Sequence, residues 1–552
     1  SDLSYVGYQP VEIKLVLHKD TIVNFGLALN TNHALSEVVI TGAASRNDNI
    51  GNPQMGVNRL DVTQANNIPV LLGEKDILKT ITLLPGVKTT GDANTGFYVR
   101  GGGADQNLIL LDGAPVYNAT HLFGFFSIFN SDAIKEVNLY KGGMPAAYGG
   151  RLSSVLDVKM DEGNRNNYSF QGGIGLISSR IKAEGPLVKG KSSFMISARR
   201  TYADAFLRLS GDSSLNGSSL YFYDLNAKLN YQIDKKNTLY LSAYYGRDNI
   251  GLKDNFNSNW GNTIASFRWN HIYSGKLFAN TSYIYSNYNY VINNLSDNNV
   301  FDVASRIRDN SLKQDYNWFI GSNHTVSFGA AATHHAILPG NIESTPTAIF
   351  NSTNIENRYA YEFAAYAADD LKLGSKTELV YGARLNIFNL VGPGTFNTYD
   401  GTGNIVSSAS YTSGQTVKNY VDLEPRFSAN YTIDHLNAVK LSFNHNTQNI
   451  HLLSNSTASL PTDLYVLSSN NIKPGISDQA ALGYYKNSRG GMFEFSAEIY
   501  YKWLQNQIDY KNNAQLIANQ NVESQLLYGE GRSYGVELFL KKKAGRFNGW
   551  MS

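Results

Sequence analysis

The chain has 552 residues, no Cys, 36 Tyr, 26 Phe, 49 Gly and only 13 Pro, and its 47 basic and 45 acidic residues leave a net charge of +2. Zero cysteine excludes a disulfide scaffold and any thiolate metal site, and interspersed charge with no basic block argues against a nucleic-acid partner. The mean hydropathy is -0.29, and no window approaches the roughly 18 apolar residues of a membrane-spanning helix, although a barrel strand needs only about ten.

Residues 1–31 read as short strands, Tyr5-Val6-Gly7-Tyr8 and Glu12-Ile13-Lys14-Leu15-Val16-Leu17. This is too little chain to bury a core, so it reads as the end of a small β-sandwich. Residues 32–67 are polar and rich in Gly and Asn, apart from one apolar island over 35–42. Such an island suits a strand added to a partner's sheet edge, and equally an ordinary linker strand.

Residues 68–162 read as a compact α/β region. Ile77, Leu78 and Ile81 follow helical spacing until Pro85-Gly86 stops it, and strands follow over 97–100, 108–111 and 137–140. Asp112-Gly113, Gly142-Gly143 and Gly149-Gly150 supply the turns.

From 163 to 552 the rhythm is period-2. Leu239, Leu241, Ala243 and Tyr245 alternate with Thr238, Tyr240, Ser242 and Tyr244, and Val439, Leu441 and Phe443 alternate with Lys440, Ser442 and Asn444. About 14 to 16 such strands are countable, joined by short turns at one end and long polar loops at the other, which is the outer-membrane barrel pattern. Paired tyrosines at Tyr244-Tyr245 and Tyr500-Tyr501 suit membrane-interface girdles. No G-x-S-x-G or phosphate-loop sequence occurs, and His334, His335, His445 and His451 lack a zinc-ligand pattern. The expectation is therefore no enzyme, no catalytic residue, no resident metal and no cofactor.

Four ordered motifs carry a family resemblance. Phe97-Tyr98-Val99-Arg100-Gly101-Gly102-Gly103 precedes a strand ending Asp112-Gly113-Ala114-Pro115. Ile134–Gly143 and Ala147-Tyr148-Gly149-Gly150-Arg151 follow. Together they resemble the plug of TonB-dependent receptors, with Arg100, Gly101, Asp112, Gly113, Pro115, Tyr148 and Gly149 as the plug signature. The island Glu37, Val38, Val39, Ile40 and Thr41 resembles the TonB box that such receptors place just ahead of the plug.

The resemblance implies a mainly β protein: a large antiparallel transmembrane β-barrel with an internal N-terminal α/β plug, 22 strands in the full protein, and the closing strands absent from this sequence. It implies residence in the cell outer membrane of a Gram-negative bacterium, with outer-membrane lipid around the barrel. Its partners would be TonB, with ExbB/ExbD supplying energy, and an imported ligand that the sequence leaves unidentified. The segment 1–31 resembles the end of the carboxypeptidase-regulatory-like domain found ahead of many such receptors in the Bacteroidota. A surface lipoprotein partner or larger complex is compatible with it, and a structural or docking subunit using a receptor-like barrel is the alternative function. Arg100, Glu136 and Asp157 are expected to pair with one another or with lumen residues such as Arg180, Arg199 and Arg200.

Overall fold

A computed structural model describes residues 2–3, 11–12, 48–61, 74–89, 91, 96–209, 215–295, 300–346, 348, 352–454, 460–516, 519–543 and 545–552. The chain divides into two units, Ser1–Arg46 and Asn47–Ser552. In the first, Asp2–Leu3 pairs antiparallel with Val11–Glu12. The island at 37–41 lies outside the described residues.

In the second unit, seventeen strands from Ser169–Ile174 to Gly549–Met551 form one sheet in which each pairs with the next in chain order. Every pairing is antiparallel, as in Ser219–Gln232 with Asn237–Leu252. The count exceeds the sequence reading because alternation is weak or brief in some members. Ser169–Ile174 contains Gly172-Gly173, and Gly549–Met551 is three residues long. Two hairpins, Gly394–Tyr399 with Ile405–Tyr411 and Ile450–Leu453 with Leu464–Leu467, are inserted in connections and leave the sheet order intact.

Connections at one rim are short: 189–191, 233–236, 275–276, 321–323, 374–376 and 435–436. The other rim carries 202–218, 345–357, 392–415, 449–474 and 511–525 beside the shorter 175–177, 253–255 and 295–300. Strands such as Phe301–Ile320 (20 residues) exceed the roughly ten that cross a bilayer.

Pleating puts alternate side chains on opposite faces, and the register aligns the outward ones around the wall. Leu229 lies opposite Leu241, Leu241 opposite Phe267, Phe267 opposite Tyr283, Tyr283 opposite Leu312, Leu312 opposite Ala332 and Ala332 opposite Phe363. The large members of this row are exposed, while the interleaved Tyr240, Ser242, Ser266 and Ser282 are buried. The row is an apolar belt, and its complement is a polar lumen. Tyr283 therefore faces outward while Tyr288 and Tyr290, at the inward parity, are buried.

The lumen holds a five-stranded sheet ordered Val57–Asp61, Ile134–Tyr140, Ser154–Met160, Asn107–Leu111, Ala114–Pro115. Only the Ser154–Met160 and Asn107–Leu111 pair is parallel. Its first strand comes from the stretch read as linker. The helix Ile77–Ile81 begins where expected, because Asp76 caps it by accepting from the Lys79 amide at 3.1 Å. The other Asp76 oxygen accepts from the Ser127 amide at 2.7 Å, which fixes the helix against a later loop. Ile77, Leu78 and Ile81 pack with Val99, Leu111, Phe129, Val137, Leu139, Leu156 and Val158 in a dry core. This inner domain touches both early and late wall strands, as in Asp132 to Arg180 and Arg100 to Glu537, so the sheet wraps around it.

Placing Arg at Phe267, in the apolar belt, is expected to cost about 2–4 kcal/mol of folding free energy in lipid vesicles. Phe267→Leu serves as the tolerated control. An unchanged folding equilibrium for Phe267→Arg would show that this row does not face lipid.

Candidate functional site

The inner domain meets the wall at two principal contacts. The first is built on the turn after Phe97–Val99. Arg100 and Gly101 both take left-handed backbone (φ 48 and 72), and the Gly102 amide donates back to the Val99 carbonyl at 2.9 Å. The turn is pressed against the barrel, since a Cβ on Gly101 would lie 2.4 Å from Ser533 Oγ. Only glycine tolerates both the dihedral and the approach.

That turn drives Arg100 into the wall. Its Nε donates to Glu537 Oε1 at 2.8 Å and its Nη2 to Glu537 Oε2 at 3.1 Å and Glu498 Oε2 at 2.7 Å. Lys141 Nζ also donates to Glu537 Oε2, at 2.8 Å. The guanidinium stacks over Tyr500 with 4.9 Å to the ring centroid, and Arg100 is 1% exposed. Lys502 Nζ, also buried, donates to Ser153 Oγ at 2.8 Å. Glu498 and Glu537 lie toward the short-turn rim of their strands. Charges so deeply buried depend on their partners, because an orphaned member has no water to turn to.

The second contact is at the long-loop rim. His121 lies between two wall carboxylates, 2.7 Å from Asp224 and 2.6 Å from Asp248, and stacks on Phe222 at 4.0 Å. The Leu122 amide donates to Asp248 Oδ1 at 2.8 Å. Arg199 closes the group, donating to Asp224 at 2.6 Å and Glu74 at 3.4 Å. Burial opposes a charge on His121, but the carboxylates of Asp224 and Asp248 outweigh it and raise the ring pKa to about 9.

Next to His121, Leu122 and Phe123 occupy left-handed backbone (φ 48 and 58), a strained conformation for large side chains. Phe123 and Phe125 stand 44% and 45% exposed, Phe123 5.0 Å from the Trp260 ring. Around them, Tyr465 OH donates to the Tyr117 carbonyl at 2.5 Å, and Tyr117 OH bonds Asp309. Asp309 also holds His335 at 2.7 Å, whose other nitrogen is 3.2 Å from Glu362. Among the described residues no group of His, Asp and Glu is arranged to hold a metal ion.

The sequence-predicted residues are thus distributed around the plug and do not form one centre. Arg100 and Gly101 belong to the buried cation cluster. Asp112 and Gly113 form a left-handed turn (φ 48 and 84) in which Asp112 Oδ1 accepts from the Met160 amide at 3.1 Å and Lys228 Nζ at 3.2 Å. The Pro115 carbonyl accepts from Ser286 Oγ at 2.6 Å. Tyr148 OH donates to Asp157 at 3.1 Å, and Gly149 lies against Arg384. The expected partners of Arg100 are corrected: it pairs with Glu498 and Glu537, while Arg180 pairs with Asp132, Arg199 with Glu74 and Asp224, and Arg200 with Asp204. The acidic partners stand some 400 residues from Arg100, beyond any local motif. Inward parity was their only signal.

Residues 57–154 match the TonB-dependent receptor plug domain, and residues 195–551 match the TonB-dependent receptor-like β-barrel. The chain belongs to the TonB-dependent receptors. Solved structures agree on the fold. The copper transporter OprC superposes with a TM-score of 0.64 at 12% identity, covering 89% of this chain and 79% of that one. The FrpB iron transporter from Neisseria meningitidis gives 0.63 at 14%, covering 89% and 77%. A mutant of the ferric enterobactin receptor PfeA from Pseudomonas aeruginosa, bound to enterobactin, gives 0.62 at 14%, covering 88% and 78%. No curated protein sequence matches the chain. As a TonB-dependent receptor, the chain is a ligand importer whose inner domain is the gate.

Replacing Arg100 with Ala strands Glu498 and Glu537 beside Lys141. Loss of one partner from a buried charge cluster costs about 3–5 kcal/mol, and the opening free energy read from amide exchange over 107–111 should fall by that order. Unchanged protection would show that the cluster does not hold the plug. For His121, whose folded pKa is raised, the stabilising charge is present below about 6.5 and lost as pH rises through about 9. Its ring nitrogen chemical shifts should titrate near 9, and a midpoint at or below 6.5 would contradict the clamp.

Proposed function

We propose that this receptor resides in the outer membrane of a Gram-negative bacterium, surrounded by outer-membrane lipid, and imports its ligand with energy delivered through TonB, ExbB and ExbD. The observation that carries this is the two-ended plug. Its Arg100 side is pinned into the wall near the short-turn rim, while its other side presents Phe123 and Phe125 beneath the long loops. Short turns mark the periplasmic rim of such barrels and long loops the outside, so ligand meets the phenylalanines and force arrives from the side of the cation cluster.

Residues 37–41 serve as the TonB box in this reading. A run of consecutive β-branched residues, Val38 to Thr41, can add a strand to an exposed sheet edge, with main-chain hydrogen bonds supplying the grip. The division into 1–31 as the end of a carboxypeptidase-regulatory-like sandwich, 32–67 as linker with the box, 68–162 as plug and 163–552 as barrel belongs to the same proposal, with the strand Val57–Asp61 of the linker joining the plug sheet. So does the Bacteroidota type. The antiparallel pair Asp2–Leu3 and Val11–Glu12 supports a sandwich edge. Arg100, Gly101, Asp112, Gly113, Pro115, Tyr148 and Gly149 serve as plug-positioning residues, and the reading assigns no catalytic residue. A surface lipoprotein would sit over the long loops.

Deleting 37–41, or substituting Val39→Pro to remove a strand donor, should abolish binding of the purified periplasmic domain of TonB to the detergent-solubilised receptor. The barrel should still reach the outer membrane. Undiminished binding by both variants would contradict the assignment of the box.

A further inference from the structure

The plug is held unevenly around its circumference. Ion pairs between described plug and barrel side chains fall on six strands. Asp132 and Asp161 pair with Arg180 and Lys182 on Ser178–Val188. Glu74 pairs with Arg199 on Ser192–Thr201. Asp112 and His121 pair with Lys228 and Asp224 on Ser219–Gln232, and His121 also with Asp248 on Asn237–Leu252. Arg100 and Lys141 pair with Glu498 on Phe493–Tyr510 and Glu537 on Leu526–Lys542.

A different contact lines the strands Thr377–Val391, Thr416–Asp434, Asn437–Gln448 and Gly475–Asn487, where they face plug residues 142–151. There the wall mainly binds plug backbone, with the Asp105 carboxylate also accepting from Gln448 Nε2 at 3.0 Å. Arg384 Nη1 reaches the Ala147 carbonyl at 3.5 Å, Arg426 Nη1 donates to the Pro145 carbonyl, Gln479 Nε2 donates to the Lys141 carbonyl at 2.9 Å, and the Met144 amide donates to Asn444 Oδ1 at 3.2 Å. Of the buried charges on this wall, Arg426 pairs within it with Glu424 at 2.7 Å, and Arg384 and Lys440 are buried on it as well. The plug segment is bracketed by Gly142-Gly143 and Gly149-Gly150 and comes close enough that a Cβ on Gly149 would lie 2.4 Å from Arg384 Nε.

A second observation falls on the same arc. Arg384 Nε, Arg426 Nε, Ser442 Oγ, Asn444 Nδ2, Asn446 Oδ1 and Ser477 Oγ are buried with no hydrogen-bond partner from protein, a denser set than on the ion-paired strands, where Glu184, Asn226 and Arg247 each have one such atom. Ser442, Asn444, Asn446 and Ser477 are at most 2% exposed. Buried polar groups are normally satisfied by protein or water. A wall with so many unmet donors and acceptors gains hydrogen bonds when water or a polar solute enters, whereas separating the ion-paired side strands charges in the lumen.

From these two observations we infer that the permeation path opens between plug segment 142–151 and the wall strands 377–391, 416–434, 437–448 and 475–487, the plug turning away from this wall about its ion-paired side. The inference rests on the reading of the chain as a gated importer. It makes Arg384, Arg426, Asn444 and Asn446 the groups that a passing polar ligand meets. It also fits the composition of the facing segment, in which residues 142–150 carry no charged side chain and Arg151 donates to the Gly150 and Ile450 carbonyls. That surface can detach without leaving an unpaired ion behind.

The chain contains no cysteine, so engineered thiols report cleanly. Single cysteines at Asn446 and Ser477 should react with a small water-soluble methanethiosulfonate at least tenfold faster than one at Ser197, on the ion-paired side. Equal rates would overturn the hydrated path. In planar bilayers, KCl conductance of the receptor is then followed as urea loosens the plug. A disulfide from Met144→Cys/Asn444→Cys should hold the channel shut until it is reduced. One from Asn130→Cys/Ser197→Cys, joining a pair that bonds at 2.8 Å across the opposite side, should leave opening unchanged. Opening despite the first disulfide, or closure by the second, would overturn the path while leaving gated import intact. A cysteine-free receptor that never conducts under urea would overturn the gating reading, and the path with it.

Discussion

A β-strand shows one set of side chains to each side, so a wall that is apolar toward lipid is polar toward its lumen. The rest of this molecule depends on that constraint. The belt from Leu229 to Phe363 dictates that Ser242, Ser266 and Asp224 point inward, and the exposed Ile499 and Val536 do the same for Glu498 and Glu537. A lumen lined this way is either filled with water or filled with protein that answers its charges. The plug answers them. Its own core is dry and built on Ile77, Leu78, Val99 and Val137, while its surface offers Arg100, Lys141 and Asp112 to wall residues of opposite sign.

Such a filling is stable and still removable. Hydrophobic packing between plug and wall, as of Ile50 and Met55 with Ala438 and Ala481, resists displacement over the area it covers. Buried ion pairs instead hold a fixed geometry, yet their net contribution is small because desolvation offsets attraction. Once the plug moves and water enters, the separated charges are hydrated. The cation cluster around Arg100 lies near the short-turn rim and the His121 clamp near the long-loop rim, so the plug is held at both depths. The strained backbone at Leu122 and Phe123, adjoining that clamp, keeps exposed aromatic surface beside His121. A ligand that engages Phe123 and Phe125 therefore acts directly on the outer anchor.

Much of this was legible in the sequence, because it follows from local periodicity and turn chemistry. The helix at 77–81, the strands near 97–99, 107–111 and 134–140, and the inward and outward parity of 238–245 and 439–444 lie where the pattern puts them. Val57–Asp61 was not recognised because Asn58 and Arg59 interrupt its apolar character, and only pairing with Ile134–Tyr140 makes it a strand. The Ala330-Ala331-Ala332 run has no alternation of its own and takes its register from Leu312 to Gln314 and from Phe363 to Ala365. The partners of Arg100 and His121 were invisible for a topological reason. Curling the sheet around the plug brings Arg100 to the last strands and His121 to Asp224 and Asp248, 103 and 127 residues on, and no spacing rule connects them.

The central claim is that the plug is a separable gate held in an independently stable wall. Single-molecule force measurement on the receptor held in lipid, pulling from the segment ahead of residue 48, tests it most directly. The account predicts that the plug extends stepwise at forces below those that extract barrel strands, with the wall left in the membrane. Extraction of wall strands before or together with the plug would contradict it.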